Sequence, residues 1–173
     1  MTASLETLDQ HQTFEARLAL CEELDTPCVV IDSETVERNL VRMAEYCRSQ
    51  GIALRPHTKT HKWLRIAQMQ LESGAVGLTV AKPGEARVMA QLGAEILVAY
   101  PPVTPASLRA ICELLSIGDV LVALDSEQAI ERLEAALPEK GRRPGVLVDA
   151  DVGVGRTGLQ SSADSVRLAK LID

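Results

Sequence analysis

Aromatic residues are scarce in this chain of 173 residues, since Phe, Trp and Tyr together make up 2% of it. Proteins that bind single-stranded nucleic acid stack the bases on aromatic side chains, so this scarcity argues against such a surface. An excess of positive charge is also missing, because the net charge is -6 at pH 7. We therefore expect no partner among nucleic acids or anionic membranes.

Paired cysteines and long apolar runs are missing as well. The four cysteines form no C-x-x-C pair, and the chain opens with no apolar leader that ends in a small-residue cleavage site. We therefore expect reduced thiols in a cytoplasmic protein, in preference to a disulfide or zinc framework. No apolar run reaches the ~18 to 20 residues that a membrane helix needs.

Apolar residues are abundant at 46% of the chain, which is enough for one sizeable core and a single domain. From Thr26 onwards, short β-rich runs alternate with amphipathic helical stripes. The predicted strands cover residues 28–31, 52–55, 76–80, 96–100, 120–124 and 146–149. This alternation predicts parallel strands joined by crossover helices. The strands begin about every 20 to 25 residues, a spacing shared by TIM-like barrels and doubly wound sheets.

Several predicted helices have recognisable ends. Gly51 follows the first apolar stripe at the position where a left-handed residue closes a helix. Thr104 and Pro105 form an N-cap followed by a proline at the first helical position. Asp125 and Gln128 have the spacing of a capping box ahead of the next stripe.

The last predicted helix begins near Ser162 and meets no stop signal before the chain ends. A complete (β/α)₈ barrel takes about 250 residues. On the barrel interpretation, residues 26–173 are the first part of a barrel, and residues 1–25 are an N-terminal extension with a short helix at 14–23. An open barrel exposes unpaired strand edges, so aggregation or a compensating dimer is expected of such a piece.

The stretch RPHTKTHK, residues 55–62, places five basic side chains directly after a short apolar run. In an extended strand side chains alternate, so Ala53, Arg55, His57 and Lys59 share one face, whereas Ile52, Leu54, Pro56 and Thr58 share the other, largely apolar face. The apolar face must pack on helices, which points the basic face into the barrel or the crevice at the carboxyl ends of the strands. A lysine there would be partly desolvated among cations, and both effects favour the neutral, nucleophilic amine that a Schiff-base lysine needs.

Two other interpretations of this stretch stay open. A basic cluster is also typical of a solvated loop. His57 and His61 have the i, i+4 spacing that binds a metal on a helix, but Pro56 and the β-branched Thr58 and Thr60 disfavour a helix here.

A second cluster, DADVGVGRTG, follows the last predicted strand. Its three glycines permit a left-handed backbone and a close approach to a ligand. Gly153, Gly155 and Gly158 match the G-x-G-x-x-G pattern of dinucleotide-binding loops. That pattern normally lies at the first strand of its fold, with its acidic residue about 20 positions later. A loop that presents Arg156 to a cofactor is therefore the preferred interpretation.

Four successive motifs resemble a known family. They are TPCVVID at 26–32, RPHTKTHK at 55–62, GLTVAKPGEA at 77–86 and DVGVGRTG at 151–158. The series is similar to the D-threonine aldolase and D-serine dehydratase family, whose members are pyridoxal-phosphate enzymes with an alanine-racemase-like barrel. RPHTKTHK is the most specific motif, whereas D-x-G-x-x-R-x-G is shared with related barrels and T-P-x-x-V-x-D is weaker still.

The resemblance implies roles for individual residues. Lys59 would form the Schiff base with pyridoxal phosphate, and Arg156 would approach the cofactor ring near its phenolic oxygen. His57 would lie beside Lys59. Thr79 and Glu85 are further candidates, because they lie on or just after a strand end.

The fold implied by the resemblance is an α/β partial (β/α)₈ barrel of the alanine racemase N-terminal type. About five of the eight barrel strands would be present, because the strand at 28–31 often belongs to a second, β-rich domain in this family. The remaining strands, the phosphate-binding loops and a C-terminal β domain with a His and Cys metal pair would follow residue 173. A divalent metal, zinc or manganese, is accordingly expected in the intact protein.

The activity implied is that of a lyase for D-β-hydroxy-amino acids, by retro-aldol cleavage or by dehydration. The intact protein is expected to be a homodimer, and this piece alone is expected to be inactive. Three alternatives stay open. They are an amino-acid racemase on the same barrel, a non-catalytic pyridoxal-phosphate carrier or regulatory protein, and a metal-binding α/β module that uses His57 and His61.

Overall fold

A computed structural model describes residues 25–172 of the chain. The short helix predicted at 14–23 lies outside the described residues. Two compact units are distinguished, one ending at Asn39 and the other beginning at Leu40. The proposed boundary between an extension at 1–25 and a barrel at 26–173 stays a prediction.

The first unit contains an irregular segment and the start of a helix. Residues 25–32 have no regular secondary structure, so the strand predicted at 28–31 is wrong. A strand needs hydrogen bonds to a neighbour, and none of the strands within residues 25–172 pairs with this segment. Asp32 then accepts the N–H groups of Glu34 and Thr35 as helix α1 (Ser33–Ser49) begins.

The second unit alternates strands with helices. Its strands are β1 (Leu78–Val80), β2 (Ile96–Val98), β3 (Val120–Leu124) and β4 (Gly145–Val148), and its remaining helices are α2 (Leu64–Glu72), α3 (Pro83–Met89), α4 (Pro105–Leu115), α5 (Glu127–Ala136) and α6 (Ser162–Ile172). All neighbouring strands are parallel, in the order β1-β2-β3-β4. A doubly wound sheet reverses its strand order at a switch point, whereas a barrel adds each strand beside the last. The structure therefore confirms the partial-barrel prediction.

Alternate strand residues bury one face of the sheet against the helices. The residues on that face are at most 4% exposed and comprise Leu78, Val80, Ile96, Val98, Val120, Val122 and Leu124. Met89, Ile111 and Leu133 from α3, α4 and α5 belong to the same apolar cluster. In these four strands the apolar face thus packs on helices, and the intervening side chains form the opposite, inner face. The same packing was predicted for the segment at 52–55, but Ile52 there is 56% exposed.

The strand predicted at 52–55 forms an extended edge beside β1 without a regular ladder. The N–H of Val76 donates to the carbonyl of Leu54 at 2.9 Å, and that of Thr79 donates to Pro56 at 2.8 Å. His57 and Thr79 form a parallel bridge. Because Pro56 has no N–H to donate, the ladder is interrupted there. The segment nevertheless occupies the position of a fifth strand.

Two of the predicted helix ends are confirmed. Thr104 is the N-cap of α4, and its side chain accepts the N–H of Ser107. Pro105 lies in the first turn of the helix. Gly51 follows the end of α1 with φ of 66°, the left-handed conformation expected there.

The capping box predicted with Asp125 and Gln128 is wrong. Ser126 is the N-cap of α5, and its side chain accepts the N–H of Ala129. The Asp125 carboxylate instead accepts the N–H of Gly158 at 3.2 Å. Asp125 therefore connects the end of β3 to the glycine-rich loop after β4.

Two further properties concern the chain as described. Cys28, Cys47 and Cys112 are free thiols. None of the helices within residues 25–172 is both long and apolar enough to cross a membrane.

Candidate functional site

Arg55 on the inner face of the sheet is held by a carboxylate. Its guanidinium pairs with the side chain of Glu95 and also donates to the Glu95 carbonyl at 3.3 Å. A Cβ atom at position 77 would lie 2.0 Å from Nη1 of Arg55, so only glycine leaves room for this crossing. Arg55 therefore connects the edge segment to the start of β2.

The extended conformation predicted through Lys59 ends at Thr58. Thr58–Thr60 form a 3₁₀ turn, and His57 caps it by accepting the N–H of Lys59 on Nδ1 at 3.2 Å. Thr58 is buried, and its hydroxyl donates to the carbonyl of Thr79 at 3.2 Å. The prediction that position 58 faces the core is confirmed. Lys59 is exposed, so its predicted partial desolvation is wrong, because the chain leaves the strand conformation just before it.

Several charged residues affect the pKa of His57. Partial burial lowers the pKa of His57, the charge of Lys59 lowers it further, Glu85 opposes these effects, and Arg156 adds to them. The imidazole is therefore neutral near pH 7. Because Nδ1 accepts the N–H of Lys59, the proton of the neutral ring lies on Nε2. The structure thus brings Lys59, Glu85 and Arg156 into the surroundings of His57.

Glu85 fastens the end of RPHTKTHK to the connection between β1 and α3. Its Oε2 accepts the N–H of Ala81 at 2.9 Å, and its Oε1 pairs with Nζ of Lys62 at 3.0 Å. Burial raises the pKa of Glu85, but the bonds from Ala81 and Lys62 outweigh it, and the pKa is lowered overall. Lys62 itself has a left-handed backbone, with φ of 51°. Glu85 therefore holds the turn that carries Lys59.

The imidazole of His61 is partly buried rather than exposed to solvent. Its Nδ1 accepts the N–H of Trp63 at 3.1 Å, and its Nε2 is buried without a hydrogen-bond partner in the described part of the chain. Burial lowers the pKa of His61, against opposing effects of the nearby Gln70 side chain and the Trp63 backbone. Residues 25–172 contain no group of three or more His, Cys, Asp or Glu side chains that could hold a metal. The metal-module alternative gains no support from them.

The DVGVGRTG loop is folded around the carboxylate of Asp151. Its Oδ1 accepts the N–H groups of Gly153, Val154 and Gly155 at 3.0, 2.8 and 3.1 Å, and its Oδ2 accepts Nε2 of Gln160 at 2.9 Å. The hydrogen bond from Gln160 and those from the backbone lower the pKa of Asp151 to about 2. Gly153 and Gly155 have φ of 113° and 67°, which turns their N–H groups towards one side.

This arrangement contradicts the dinucleotide interpretation of the loop. A dinucleotide-binding loop offers free N–H groups to a pyrophosphate at the start of a helix. Here the carboxylate of Asp151 occupies those groups, and α6 begins only at Ser162. The match to G-x-G-x-x-G is therefore not a dinucleotide signal.

The far end of the loop is fastened separately. The N–H of Gly158 donates to Oδ2 of Asp125, and the N–H of Asp151 donates to the carbonyl of Leu159 at 2.9 Å. Gly158 has φ of 99°, and a Cβ atom there would lie 2.5 Å from the backbone nitrogen of Asp151. Arg156 lies between the two fastened ends, and its side chain is exposed.

Lys59 and Arg156 are exposed cations at this edge, as is Lys82 at the N-cap of α3. Arg55 and Lys62 each pair with a glutamate, whereas Lys59 and Arg156 form no ion pair within residues 25–172. Both follow strands of a parallel sheet, whose carboxyl ends meet at one edge. The charge of Arg156 reaches His57, the neighbour of Lys59. The donor set fits an anionic ligand that also offers a carbonyl to an amine.

Known proteins resemble this chain in sequence and in fold. It matches the family described as alanine racemase, N-terminal domain, over residues 31–173. It is 33% identical to 3-hydroxy-D-aspartate aldolase from Paracoccus denitrificans over 151 residues, which cover 86% of this chain and 39% of that enzyme. It is 31% identical to D-serine dehydratase from Dictyostelium discoideum over 162 residues, covering 84% of this chain and 40% of that enzyme. The crystal structure of D-threonine aldolase from Filomicrobium marinum superposes with a TM-score of 0.82 at 34% identity, over 86% of this chain and 40% of that one.

These similarities agree with the motifs. The resemblance to the D-threonine aldolase and D-serine dehydratase family is confirmed. The chain spans 39 to 40% of the length of these relatives. The matched residues include the edge segment with Lys59, the four-stranded parallel sheet and the loop with Arg156. The chain belongs to the alanine racemase N-terminal domain family.

Proposed function

We propose that the protein containing this chain is a pyridoxal-phosphate-dependent lyase for D-β-hydroxy-amino acids, acting by retro-aldol cleavage or by dehydration. The observation that carries the proposal is the placement of Lys59 and Arg156, both exposed and without an ion pair in the described residues, at one edge of the sheet. The relatives support the substrate class, because 3-hydroxy-D-aspartate, D-threonine and D-serine are all D-amino acids with a β-hydroxyl group.

The residues present fit pyridoxal phosphate. Its aldehyde needs an accessible primary amine that is not held in an ion pair with a carboxylate. Lys59 has such an amine. Its phenolic oxygen and phosphate are anionic and suit a guanidinium, which describes Arg156. The carboxylates of Glu85 and Asp151 are already engaged, because Glu85 binds Lys62 and Asp151 binds its own loop. They therefore do not compete for either cation.

Each residue of the site has a distinct part in this proposal. When bound, pyridoxal phosphate supplies an electron sink for negative charge at the substrate Cα. Lys59 would hold the cofactor through Nζ, and Arg156 would bind an anionic oxygen of its ring. His57 fixes the turn through Nδ1 and holds a proton on Nε2 beside Lys59. Thr79 stays a candidate for cofactor contact, and its hydroxyl currently donates to the Arg55 carbonyl at 3.4 Å.

Two properties of the whole protein complete the proposal. A divalent metal, zinc or manganese, would bind the substrate hydroxyl in either reaction, through ligands beyond residue 173. The intact protein would be a homodimer. Metal analysis and light scattering of the protein from its complete reading frame test these two properties.

Labelling of Lys59 tests the proposed function. Pyridoxal phosphate is added to the protein from its complete reading frame, the Schiff base is reduced with borohydride, and the peptides are mapped by mass. We expect one phosphopyridoxyl group, on Lys59. Lys59→Arg should abolish the label, and Lys62→Arg, a matched change three residues away, should retain it. A folded protein in which Lys59 stays unmodified would refute the proposal.

An amino-acid racemase is the second candidate, because the matching family is described by alanine racemase. A panel of D-threonine, D-serine, 3-hydroxy-D-aspartate and alanine separates the two. A lyase releases an aldehyde and glycine, or a keto acid and ammonia, from the hydroxylated substrates. Racemisation of alanine with none of these products would replace the lyase by a racemase.

A further inference from the structure

We propose that Asp151 is a positioning residue for Arg156: its carboxylate, bound by Gln160, folds the glycine loop that carries Arg156 to the edge where Lys59 lies. The inference rests on the proposed function, because pyridoxal phosphate is the group that Arg156 would meet. It extends that function to a residue that touches neither substrate nor cofactor.

The hydrogen bonds of Asp151 determine the course of the chain up to Arg156. Three consecutive N–H groups, those of residues 153–155, donate to its Oδ1, and the last of them also donates to Oδ2 at 3.1 Å. Arg156 is the next residue. One side chain therefore sets the backbone of the whole segment that precedes the guanidinium.

Apolar packing does not hold this segment. Val152 is 92% exposed and Val154 is 76% exposed, so burial of their side chains contributes little to the loop conformation. Gly153 and Gly155 have no side chains to pack and have left-handed backbones, which an unrestrained chain leaves readily. The carboxylate is thus the principal restraint on this side of Arg156.

Gln160 and Asp125 complete the restraint. Nε2 of Gln160 donates to Oδ2 of Asp151 at 2.9 Å and so fixes the orientation of the carboxylate. Asp125 holds the N–H of Gly158 on the other side of Arg156. The four N–H donors also compensate the charge of Asp151, so that the carboxylate does not repel an anionic ligand of Arg156.

Limited proteolysis tests the fold of the loop without cofactor or activity. Trypsin cleaves after Arg156 only when the loop opens. In the cofactor-free protein from its complete reading frame, we expect Asp151→Ala to accelerate this cleavage about tenfold or more, because the segment loses its hydrogen-bond acceptor. Asp119→Asn is the matched control, because Asp119 is exposed and pairs with Arg142 elsewhere. Unchanged cleavage in Asp151→Ala would overturn the proposal.

A charge-exchanged pair tests whether the carboxylate acts through its hydrogen bonds. In the double variant Asp151→Asn with Gln160→Glu, the asparagine oxygen can accept the three N–H groups while its amide donates to the glutamate. We expect slow cleavage after Arg156 to return. Should Asp151→Ala fail to fold, the double variant is compared with Asp151→Asn alone. Cleavage after Arg156 that is equally rapid in these two variants would count against the hydrogen-bonded loop.

A double-mutant cycle tests whether Asp151 acts through Arg156. The dissociation constant of pyridoxal phosphate is measured for the wild type, Asp151→Ala, Arg156→Ala and the double variant. We expect Asp151→Ala to weaken binding about tenfold in the wild type and less than about twofold when Arg156 is absent. An equal loss in both backgrounds would show that Asp151 acts independently and would overturn the proposal.

The outcomes separate this inference from the proposed function. Labelling of Lys59 together with an unaltered affinity in Asp151→Ala would leave the proposed function standing and refute the role of Asp151. A wild-type protein that binds no pyridoxal phosphate would refute both.

Discussion

At the scale of single residues, Lys62 combines a left-handed backbone with an ion pair to Glu85, whose carboxylate also accepts the N–H of Ala81. We expect Glu85→Gln to lower the free energy of unfolding by about 1 kcal/mol. The amide keeps one oxygen for Ala81 but cannot pair with Lys62, and the exposure of Lys62 limits the loss. Urea denaturation measures the change.

Glu113→Gln is the matched control for this prediction. It removes the pair between Arg87 and Glu113, whose side chains are 53% and 61% exposed. We expect a loss of less than about 0.5 kcal/mol, because solvent screens such pairs. Equal losses in the two variants would mean that Glu85 does not hold the turn in the way described.

Residue partners divide into those that a motif indicates and those that it does not. Lys59 and Arg156 were predicted from short motifs, because the chemistry of a Schiff base and of an anion requires these side chains. The pairing of Arg55 with Glu95 joins residues 40 positions apart, and no local pattern indicates it. Asp151 is an intermediate case, since an aspartate two residues before a glycine is typical of a side chain that caps a turn. The motif therefore carries a turn signal in Asp151 as well as in the glycines that follow it.

At the scale of elements, the glycine-rich loop depends on Gly158. We expect Gly158→Ala to lower the free energy of unfolding by about 2 kcal/mol or more, because alanine disfavours φ of 99° and its Cβ would lie 2.5 Å from the nitrogen of Asp151. Urea denaturation measures the loss, and trypsin cleavage after Arg156 should become faster at the same time.

Gly84→Ala is the matched control within a helix. Gly84 lies in α3, and a Cβ atom there would meet nothing within 4 Å. We expect no loss and a gain of up to about 1 kcal/mol, because alanine favours the helix. A similar destabilisation of both variants would indicate a general intolerance of substitution rather than strain at Gly158.

Sequence periodicity predicts the ends of an element correctly only where burial in the core determines those ends. The bounds of β3 agree with the prediction at 120–124, because four of its five residues are buried and only Leu121 is partly exposed. The segment at 28–31 has the composition of a strand but lacks a partner among the described residues, and RPHTKTHK leaves the strand conformation at a 3₁₀ turn. Composition describes what a segment tolerates, whereas hydrogen-bond partners decide what it becomes.

At the scale of the whole molecule, His57 and His61 make stability depend on pH. Burial lowers the pKa of both imidazoles in the folded protein, so the unfolded state binds more protons as the pH falls through about 6.5. The stabilisation is therefore complete above that pH and is lost progressively below it. We expect the urea concentration at the unfolding midpoint to decrease as the pH is lowered from 7.5 to 5.5.

His61→Asn tests the origin of this dependence. Asparagine can accept the N–H of Trp63 as Nδ1 of His61 does, but it does not titrate. The variant should show a smaller fall of the urea midpoint over the same range. A midpoint that stays constant or rises towards pH 5.5 in the wild type would contradict the lowered pKa values.

The sequence by itself determined the alternation of strands and helices and the apolar face of the four sheet strands, and it made Lys59 and Arg156 the candidates for cofactor binding, because periodicity and short motifs depend on neighbouring residues. The tertiary structure decided whether the strands follow a barrel order or a doubly wound order, since both orders have the same spacing along the chain. It also decided that Asp125 binds the loop rather than its own helix, and that Lys59 is exposed. These outcomes depend on which distant groups meet in space, and hydrogen bonds and burial act between such groups irrespective of their separation in the chain.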